Sequence, residues 1–301
     1  MSLLIASTLD DALAALAAGA RPIAGGSDLV VGARHGKAPL PTSLVAIDRI
    51  ESLRTIVGSA DGGLVIGSGV SHHTIEIDPT IGAGWSALAD ASALVGSPAT
   101  RHVGTLGGNV MNGSPAMDTG APLVVFGAEA ELVSAGGSRR VDMASLWVGP
   151  GRTSATADEL CVAIHLPARA GRSGSAYVRL EYRRAMEIAV VGAAASVTLS
   201  ADGAVESVRV ALTAVAATII EVTGLGGSGG SRTSVAEVAA AAESAAASQA
   251  TPISDLRASD RYRRHCIGVM ARRAVEAAAR RAAGETIAIP VNRALGIGAA
   301  S

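Results

Sequence analysis

Two glycine-containing loops carry the residue types that could bind a phosphorylated ligand. Their sequences are Ala24-Gly25-Gly26-Ser27-Asp28 and Thr105-Leu106-Gly107-Gly108-Asn109. Because glycine has no Cβ, the backbone can adopt positive φ and approach a ligand closely, while successive N–H groups form an anion-binding nest. Each loop is predicted to follow a hydrophobic strand. Two such nests would bind a diphosphate from both sides, which favours a dinucleotide as the ligand.

The glycine pairs also have a simpler interpretation. The chain contains 36 glycines, and a Gly-Gly pair is typical of an ordinary turn. Neither loop fits G-x-G-x-x-G or G-x-x-x-x-G-K-[ST], which argues against a Rossmann fingerprint or a P-loop. The hydroxyls of Ser27 and Thr105 can donate to phosphate oxygens, and the amides of Asn109 and Asn112 can bind phosphate, ribose or ribityl groups. Capping of the loops is the alternative role for these four side chains.

Size and charge restrict the classes of function. A chain of 301 residues can form two or three packed units without disulfides or metal. With 25 basic and 26 acidic residues the net charge is −1, so we expect no binding to nucleic acid or to anionic lipid. No run of 18 apolar residues is free of charge, and the first residues lack a basic region followed by an apolar one. We therefore expect no membrane span, no signal peptide and a cytoplasmic location.

The sequence offers no candidate for a catalytic nucleophile or a metal site. The only cysteines, Cys161 and Cys266, cannot supply the four thiolates of an iron–sulfur cluster, so any cluster must lie on another chain. His72 and His73 are predicted to lie on an extended segment, where neighbouring side chains point to opposite faces. No G-x-S-x-G elbow and no Cys–His pairing at a recognisable spacing is present.

The pattern of elements predicts an α+β fold with three units. The first, residues 1–57, contains a helix capped by Thr8 and ends with a strand at residues 53–57. This strand is predicted to form a hairpin with residues 64–67. The second is residues 58–168, with predicted elements at 85–95 (helix), 130–133 (strand) and 160–166 (strand). The third is residues 169–301. Its predicted strands are 177–182, 188–200 and 205–215, with a turn at Asp202-Gly203. A flexible loop is predicted at 224–231, and helices are predicted at 235–250 and from Ser259 to about 283.

Three segments of the chain resemble the FAD subunits of molybdenum hydroxylases, a family that includes carbon monoxide dehydrogenase and xanthine dehydrogenase. Residues 24–29 (AGGSDL) resemble the family's first flavin loop. Residues 101–110 (RHVGTLGGNV), followed by Ser114-Pro115 and Asp118, resemble the second loop, and residues 259–265 (SDRYRRH) are similar to the start of the C-terminal helix. The matches occur in the family's order. The resemblance implies a two-part FAD-binding domain (PCMH-like), followed by a smaller C-terminal α+β domain with a sheet and terminal helices.

The resemblance also assigns roles to single residues. It implies FAD contacts for the following residues: Ala24, Gly25, Gly26, Ser27, Asp28, Leu29, Thr105, Gly107, Gly108, Asn109 and Asn112. Asp118 matches an acidic residue that accepts hydrogen bonds from cofactor hydroxyls, although on its own it predicts a helix cap. Leu160 matches an aliphatic residue that packs on the flavin ring, although on its own it predicts a core strand position. Arg179 lies where relatives commonly have lysine, near the pyrimidine side of the ring, where positive charge favours reduced flavin; a solvated strand charge is the alternative.

The resemblance implies the medium subunit of a heteromeric complex, with noncovalent FAD and no catalytic or metal-binding residue of its own. Electrons would reach this FAD from an iron–sulfur small subunit, the substrate would be oxidised at a molybdenum cofactor on a large subunit, and the complex would be a dimer of heterotrimers. The terminal helix, with seven arginines between Asp260 and Arg281, and the cluster Arg183-Arg184 are candidate docking surfaces. The alternative functions are a self-contained FAD oxidase or dehydrogenase and a non-enzymatic nucleotide-binding module.

Overall fold

The N-terminal unit is a three-stranded parallel sheet with a helix packed against it. The computed structural model describes residues 1–36, 38–225 and 233–297. The elements of this unit are β1 (Ser2–Ile5), α1 (Leu9–Ala17), β2 (Arg21–Ile23), α2 (Leu29–Arg34) and β3 (Ser43–Ala46), with strand order β1-β3-β2. Thr8 caps α1 as predicted, because its hydroxyl accepts from Asp11 N–H while the Asp11 carboxylate accepts from Thr8 N–H. Ala12 and Leu16, four residues apart, face the core.

The second unit is built on a five-stranded antiparallel sheet of order β4-β5-β10-β6-β7. Its strands are β4 (Ile56–Gly58), β5 (Leu64–Gly67), β6 (Glu129–Ser134), β7 (Gly137–Asp142), a small pair β8 (Trp147–Gly149) and β9 (Arg152–Thr153), and β10 (Leu160–Leu166). Its helices are α3 (His72–Ile77), α4 (Pro79–Gly84), α5 (Ser86–Leu94), α6 (Pro98–Val103), α7 (Leu106–Asn112), α8 (Gly120–Phe126) and α9 (Met143–Leu146). Every residue of α5 is buried. Its polar side chains Ser86 and Asp90, four residues apart, form hydrogen bonds with the third unit.

The hairpin predicted at residues 53–57 is present, but its first strand is short. Residues Glu51–Arg54 form a 3₁₀ helix, and only Ile56–Gly58 pair with β5. The predicted boundary at residue 57 therefore falls inside a strand of the second sheet. We propose to keep the three-unit division with the first boundary placed before β4.

The third unit is a four-stranded antiparallel sheet with helices. It comprises β11 (Ser173–Leu180), β12 (Val191–Leu199), β13 (Val205–Thr213), β14 (Ile220–Glu221), α10 (Val235–Gln249), α11 (Asp260–Ala282) and α12 (Val291–Ala294), with the strands in chain order. The predicted turn at Asp202-Gly203 is confirmed by a φ of +85° at Gly203, and Ser259 caps α11 as predicted. Residues 226–231 of the predicted loop lie outside the described residues. None of the described helices is long and apolar enough to cross a membrane.

The third sheet is covered on both faces, and one face belongs to the second unit. Ala176 and Val178 of β11 lie in the core formed with α10 and α11, whereas Tyr177 lies in the core of the second unit. Side chains alternate between the faces of a strand, so this pattern places the sheet between two helical layers. On the side of the second unit, α5 contacts β11, and α8 contacts β12 and β13.

A buried carboxylate joins the second unit to the third. Asp90 of α5 is 0% exposed and accepts four hydrogen bonds: from Arg281 Nη1 (2.6 Å), Arg281 Nη2 (3.1 Å), Tyr177 N (3.2 Å) and Val291 N (2.9 Å). Burial raises the pKa of Asp90, while the bonds and charge of Arg281 act to lower it. The carboxylate thus connects α5 to β11, α11 and α12.

Candidate cofactor-binding site

The first glycine loop leaves backbone donors unused. It connects β2 to α2, and Gly26 has a φ of +66°, as the sequence predicts for a nest. Within the described part of the chain, the N–H groups of Gly25, Gly26 and Ser27 donate to no protein acceptor. Three successive free donors at the exit of a strand can bind an anionic oxygen.

The two loops touch each other. A Cβ placed on Gly25 would lie 1.8 Å from the carbonyl oxygen of Val103, which is too close for any residue other than glycine. A Cβ placed on Gly104 would lie 3.6 Å from Ser27 Oγ. The first loop therefore packs on the backbone that leads directly into Thr105, so a single ligand can reach both loops.

The second loop differs from its prediction. It follows helix α6 rather than a strand, and it forms the first turn of α7 with Thr105 as the N-cap. The next four N–H groups all have protein acceptors: Leu106 donates to Val70 O (2.9 Å), Gly107 to Ser68 O (2.8 Å), Gly108 to Thr105 Oγ1 (3.1 Å) and Asn109 to Thr105 O (3.0 Å). The expectation of a second N–H nest is therefore wrong.

Gly107 is needed for close packing. A Cβ at this position would lie 2.4 Å from Ser68 Cβ and 2.8 Å from Ser68 O, and the residue does not adopt positive φ. At Gly108 the nearest atom to an added Cβ is Thr105 Oγ1, at 3.0 Å. Sequence reasoning missed Ser68, since no local pattern links it to a glycine about forty positions away.

His72 also supports the second loop. It lies in helix α3, so the prediction of an extended segment at His72 and His73 is wrong. Its N–H donates to Gly104 O at 3.0 Å, and its ring is buried. Burial, with a smaller contribution from the positive charge of Arg101, lowers the pKa of His72 to about 4. A neutral imidazole at physiological pH therefore packs against this loop.

Side chains of the second loop remain available to a ligand. Asn109 Oδ1 accepts from Thr119 Oγ1 at 2.6 Å, and its amide nitrogen has no partner among the described residues. Thr105 Oγ1 accepts from Gly108 N and keeps its own proton to donate. Asn112 lies exposed at the end of α7, apart from these contacts.

Asp118 and Arg179 meet in a buried cluster with Tyr177 and Glu181. Asp118 Oδ2 accepts from Arg179 Nη1 at 2.8 Å, Asp118 Oδ1 accepts from Tyr177 OH at 2.7 Å, and Glu181 Oε2 accepts from Arg179 Nε at 2.7 Å. Thr119, not Asp118, is the N-cap of α8, so the helix-cap alternative for Asp118 is wrong. Arg179 is 0% exposed, so the solvated-charge alternative is also wrong.

The charges within this cluster stabilise the guanidinium. Burial acts to lower the pKa of Arg179, but the neighbouring Asp118, Tyr177 and Glu181 outweigh it and raise the pKa above its usual value. Burial and the Asp118 carboxylate also raise the pKa of Tyr177. One donor, Arg179 Nη2, is buried and has no protein partner. Glu181 was missed by sequence reasoning, although its spacing of two from Arg179 on a strand is the signal for a shared face.

Leu160 belongs to a hydrophobic core that the first loop also contacts. It opens β10, is buried, and belongs to the core of the first unit with Leu16, Ile50 and Leu53. Ala24, the first residue of the first glycine loop, packs against the same cluster. The position agrees with a core role, and contact with a flavin ring stays a prediction.

Most arginines of the terminal helix have partners within the chain. Arg263 is buried and donates to Val190 O and Asp255 Oδ1, and Arg281 pairs with Asp90. The other contacts are Arg264 with Ala250 O, Arg272 with Glu276 and Glu243, and Arg280 with Glu285. Five of the seven arginines therefore have partners within the chain, and docking of a partner subunit on α11 stays a prediction.

Comparison with known proteins identifies the family. The family described as the FAD binding domain in molybdopterin dehydrogenase matches residues 1–169, and the CO dehydrogenase flavoprotein C-terminal domain matches residues 176–278. The chain belongs to the FAD-binding subunits of molybdenum-containing dehydrogenases. It is 30% identical to the putative xanthine dehydrogenase FAD-binding subunit of Escherichia coli K12, covering 93% of this chain and 96% of that one. It is 32% identical to the carbon monoxide dehydrogenase medium chain of Afipia carboxidovorans, covering 87% and 90%.

Solved structures agree with this membership of the FAD-subunit family. Reconstituted CO dehydrogenase from Oligotropha carboxidovorans superposes with a TM-score of 0.87 at 31% identity, covering 93% of this chain and 98% of that chain. Quinoline 2-oxidoreductase from Pseudomonas putida 86 superposes with a TM-score of 0.85 at 26% identity, covering 94% and 98%. The predicted α+β fold with an FAD-binding domain and a C-terminal domain is confirmed.

The residues of the site fit FAD, the family's cofactor. The free N–H groups at Gly25, Gly26 and Ser27 suit the diphosphate, and the absence of a Cβ at Gly25 keeps both loops in contact. The side chains of Thr105 and Asn109 add hydrogen-bond donors nearby. These features match a ligand that carries a diphosphate.

Proposed function

We propose that this chain is the FAD-carrying electron-transfer subunit of a molybdenum hydroxylase complex. The observation that carries the proposal is the close approach of Gly25 to Val103 O, which brings the two loops together so that one ligand could reach both. Family membership supports the oxidoreductase class. A single chain with two cysteines, both buried, has no means to hold an iron–sulfur cluster. We therefore propose that the electrons come from an iron–sulfur cluster on another subunit.

The residues of the chain bind and orient the cofactor. Gly25, Gly26 and Ser27 would donate N–H groups to the diphosphate, while Thr105 and Asn109 would add side-chain hydrogen bonds. Asp28, Leu29, Gly107, Gly108 and Asn112 remain proposed contacts of the same two segments. When bound, FAD supplies reversible electron transfer, and the protein supplies binding, orientation and local charge.

Three residues have proposed roles at the flavin ring. Arg179 would contribute positive charge near the ring, Asp118 would hold that guanidinium and accept from a cofactor hydroxyl, and Leu160 would pack on the ring. These roles follow the family resemblance. Because Arg179 is fully buried, it would act through its charge and not by direct contact.

The proposed complex contains two further subunits. An iron–sulfur small subunit would deliver electrons, a large subunit would oxidise the substrate at its molybdenum cofactor, and an external acceptor would remove electrons from FAD. The relatives named as medium chain or FAD-binding subunit support such an assembly. A dimer of heterotrimers and a cytoplasmic location stay predictions.

Isolation of the complex from the native host tests the proposed function. A tagged chain should recover two partners and one FAD per chain, and acid precipitation should release the flavin into the supernatant. The chain purified alone should bind FAD but turn over no substrate. Recovery of a partner-free, catalytically active flavoprotein would instead establish the self-contained oxidase, and a colourless chain would refute FAD binding.

Charge reversal on exposed arginines tests the docking surface. Arg261 on α11 and Arg183 in the segment after β11 are both exposed. Arg183 also donates to Met186 O at 2.6 Å and pairs with Glu187 at 3.4 Å. Arg261→Glu with Arg183→Glu should weaken capture of the partners in a salt-dependent way, because exposed charges act over about 10 Å at 0.1 M salt. Unchanged capture at low salt would move the interface elsewhere on the chain.

A further inference from the structure

A turn that precedes α11 presents a leucine side chain to solvent. Leu256 is 108% exposed, so its side chain makes almost no contact with the rest of the chain. The turn itself is fixed, because the Asp255 carboxylate accepts from Arg257 N (2.8 Å), Ala258 N (3.2 Å) and Arg263 Nη2 (2.7 Å). Asp255 N also donates to Ala258 O at 3.1 Å. A leucine held in water by a fixed turn buries no apolar surface in this chain, so it contributes nothing to the hydrophobic stabilisation of the fold.

Other exposed apolar side chains lie around this turn. Ile253 is 71% exposed, and Tyr182, which follows β11, is 59% exposed and donates to Arg257 O at 2.7 Å. Tyr262, in the first turn of α11, is 44% exposed. Cys266, burial and Tyr182, in that order, raise the pKa of Tyr262, which places the two phenols near each other. We call the following four residues the apolar patch: Tyr182, Ile253, Leu256 and Tyr262. A single exposed apolar residue is ordinary, whereas a group of them marks an interaction surface.

The surroundings of the apolar patch are positively charged. Residues 182–188 and 253–264 together contain six arginines and three acidic residues, a net charge of +3. Arg261 is exposed and has no partner among the described residues. Asp255 and Asp260 are already engaged in hydrogen bonds within the chain. Aromatic, aliphatic and arginine side chains are typical of binding hot spots, and the positive charge selects a partner surface that carries acidic residues.

The apolar patch adjoins the elements that carry the second glycine loop. Residues 182–188 pack on the start of α6, where Met186 N donates to Gly96 O at 2.9 Å and Thr100 Oγ1 donates to Met186 Sδ at 3.7 Å. Helix α6 ends at Val103 and leads directly into the second loop. A partner bound to the patch would therefore lie close to the proposed FAD site.

We propose that the apolar patch is the docking site of the iron–sulfur subunit, with Leu256 as its central anchor. Leu256 enters an apolar pocket on that subunit, and carboxylates around the pocket face the arginines beside the patch. Of the two partners, the iron–sulfur subunit is the one that must approach FAD closely, because it delivers the electrons. This inference rests on the proposed function, because it requires an iron–sulfur partner.

Substitutions at Leu256 test the anchor without disturbing the fold, because this side chain makes almost no contacts within the chain. Leu256→Asp should reduce the amount of iron–sulfur subunit recovered with the tagged chain by about tenfold or more, as expected for the loss of a buried anchor. Leu256→Lys removes the same apolar group but should retain more of the subunit than Leu256→Asp, because the partner surface is acidic. Val57→Asp is the matched control, since Val57 is 51% exposed and lies on β4 of the second sheet. It should recover both partners as the wild type does.

The measurement is co-purification of the complex from the native host, with each subunit quantified by mass spectrometry. The unfolding temperature of each variant chain alone should equal that of the wild type. A photoreactive benzophenone amino acid in place of Leu256 then identifies the neighbouring chain, and cross-linking to the iron–sulfur subunit supports the inference.

Three results would overturn the inference while leaving the proposed function intact. One is undiminished recovery of the iron–sulfur subunit by Leu256→Asp. Another is a recovery by Leu256→Lys that is no better than that by Leu256→Asp. The third is cross-linking of position 256 to the molybdenum subunit, to a second copy of this chain or to nothing. A wild-type chain that recovers no iron–sulfur subunit would instead refute the proposed function, and this inference with it.

Discussion

The two glycine loops share a Gly-Gly pair and use it in different ways. At the first loop, Gly25 and Gly26 expose N–H groups that have no acceptor in the described protein, and Gly26 adopts positive φ. At the second loop, the N–H groups of Gly107 and Gly108 are already bonded, and Gly107 lets two backbone segments approach. A glycine pair leaves space where Cβ atoms would be. The surrounding fold determines whether a ligand or another segment of the protein occupies that space.

The largest effect is expected from Gly25→Ala. Its Cβ would lie 1.8 Å from Val103 O, so the first loop would have to move away from the second. We expect FAD affinity to fall by at least about 1000-fold, which is about 4 kcal/mol, measured by flavin fluorescence titration. Gly84→Ala is the control, since nothing lies within 4 Å of its Cβ position. Retention of tight FAD binding by Gly25→Ala would remove the first loop from the site.

Gly107→Ala should act first on the stability of the fold. The added methyl would overlap Ser68, so we expect the free energy of unfolding of the FAD-free protein to fall by about 3 kcal/mol in chemical denaturation. Ser68→Gly/Gly107→Ala should recover part of the loss, because it removes the Cβ that lies 2.4 Å away. If Gly107→Ala instead weakens FAD binding without lowering the free energy of unfolding, both glycine loops contact the ligand. That result would contradict the packing role of Gly107.

Acid should weaken the support of the second loop through His72. Its pKa in the folded protein is about 4 and its ordinary value is 6.5, so the unfolded chain binds the proton more tightly between these values. Stability is therefore fully present above pH 6.5 and declines as the pH falls toward 4, by about 2 kcal/mol at pH 5. Between pH 7 and pH 5, the free energy of unfolding should change less for His72→Asn than for the wild type. His35→Asn, at an exposed position, should match the wild type.

The smallest effect is expected at the cap of α7. Thr105→Val removes the oxygen that accepts from Gly108 N at 3.1 Å and should cost about 1 kcal/mol of stability. Thr105→Ser keeps the oxygen and should be nearly neutral. If the proposed side-chain contact to FAD is correct, Thr105→Val also lowers FAD affinity when its loss of stability is taken into account. An affinity equal to that of Thr105→Ser would leave Thr105 with a capping role alone.

Sequence patterns predicted those features that depend on near neighbours. The caps at Thr8 and Ser259, the turn at Asp202-Gly203 and the strand at residues 160–166 each involve residues a few positions apart. The family and its two-domain organisation followed from the order of short motifs along the chain.

The features that were missed depend on contacts between distant segments. The N–H groups at 106 and 107 are bonded to Val70 and Ser68, which no local pattern connects with the second loop. The burial of Arg179 depends on α5 and α8 covering the same sheet. The basic pattern of α11 suggested a docking surface, yet Arg281 pairs with a buried carboxylate 191 residues earlier in the chain.

The hydrogen bonds of Asp90 determine which segments must be kept together when parts of related chains are exchanged. Two of its four hydrogen bonds come from Arg281 and one from Val291, and both residues lie beyond residue 278, where the second family match ends. A chimera that exchanged only residues 176–278 between relatives would be safe in this respect, whereas one that lost the arginine would leave a buried carboxylate without its cation. The short C-terminal segment must therefore be inherited together with α5 of the flavin domain, although most of the chain separates them.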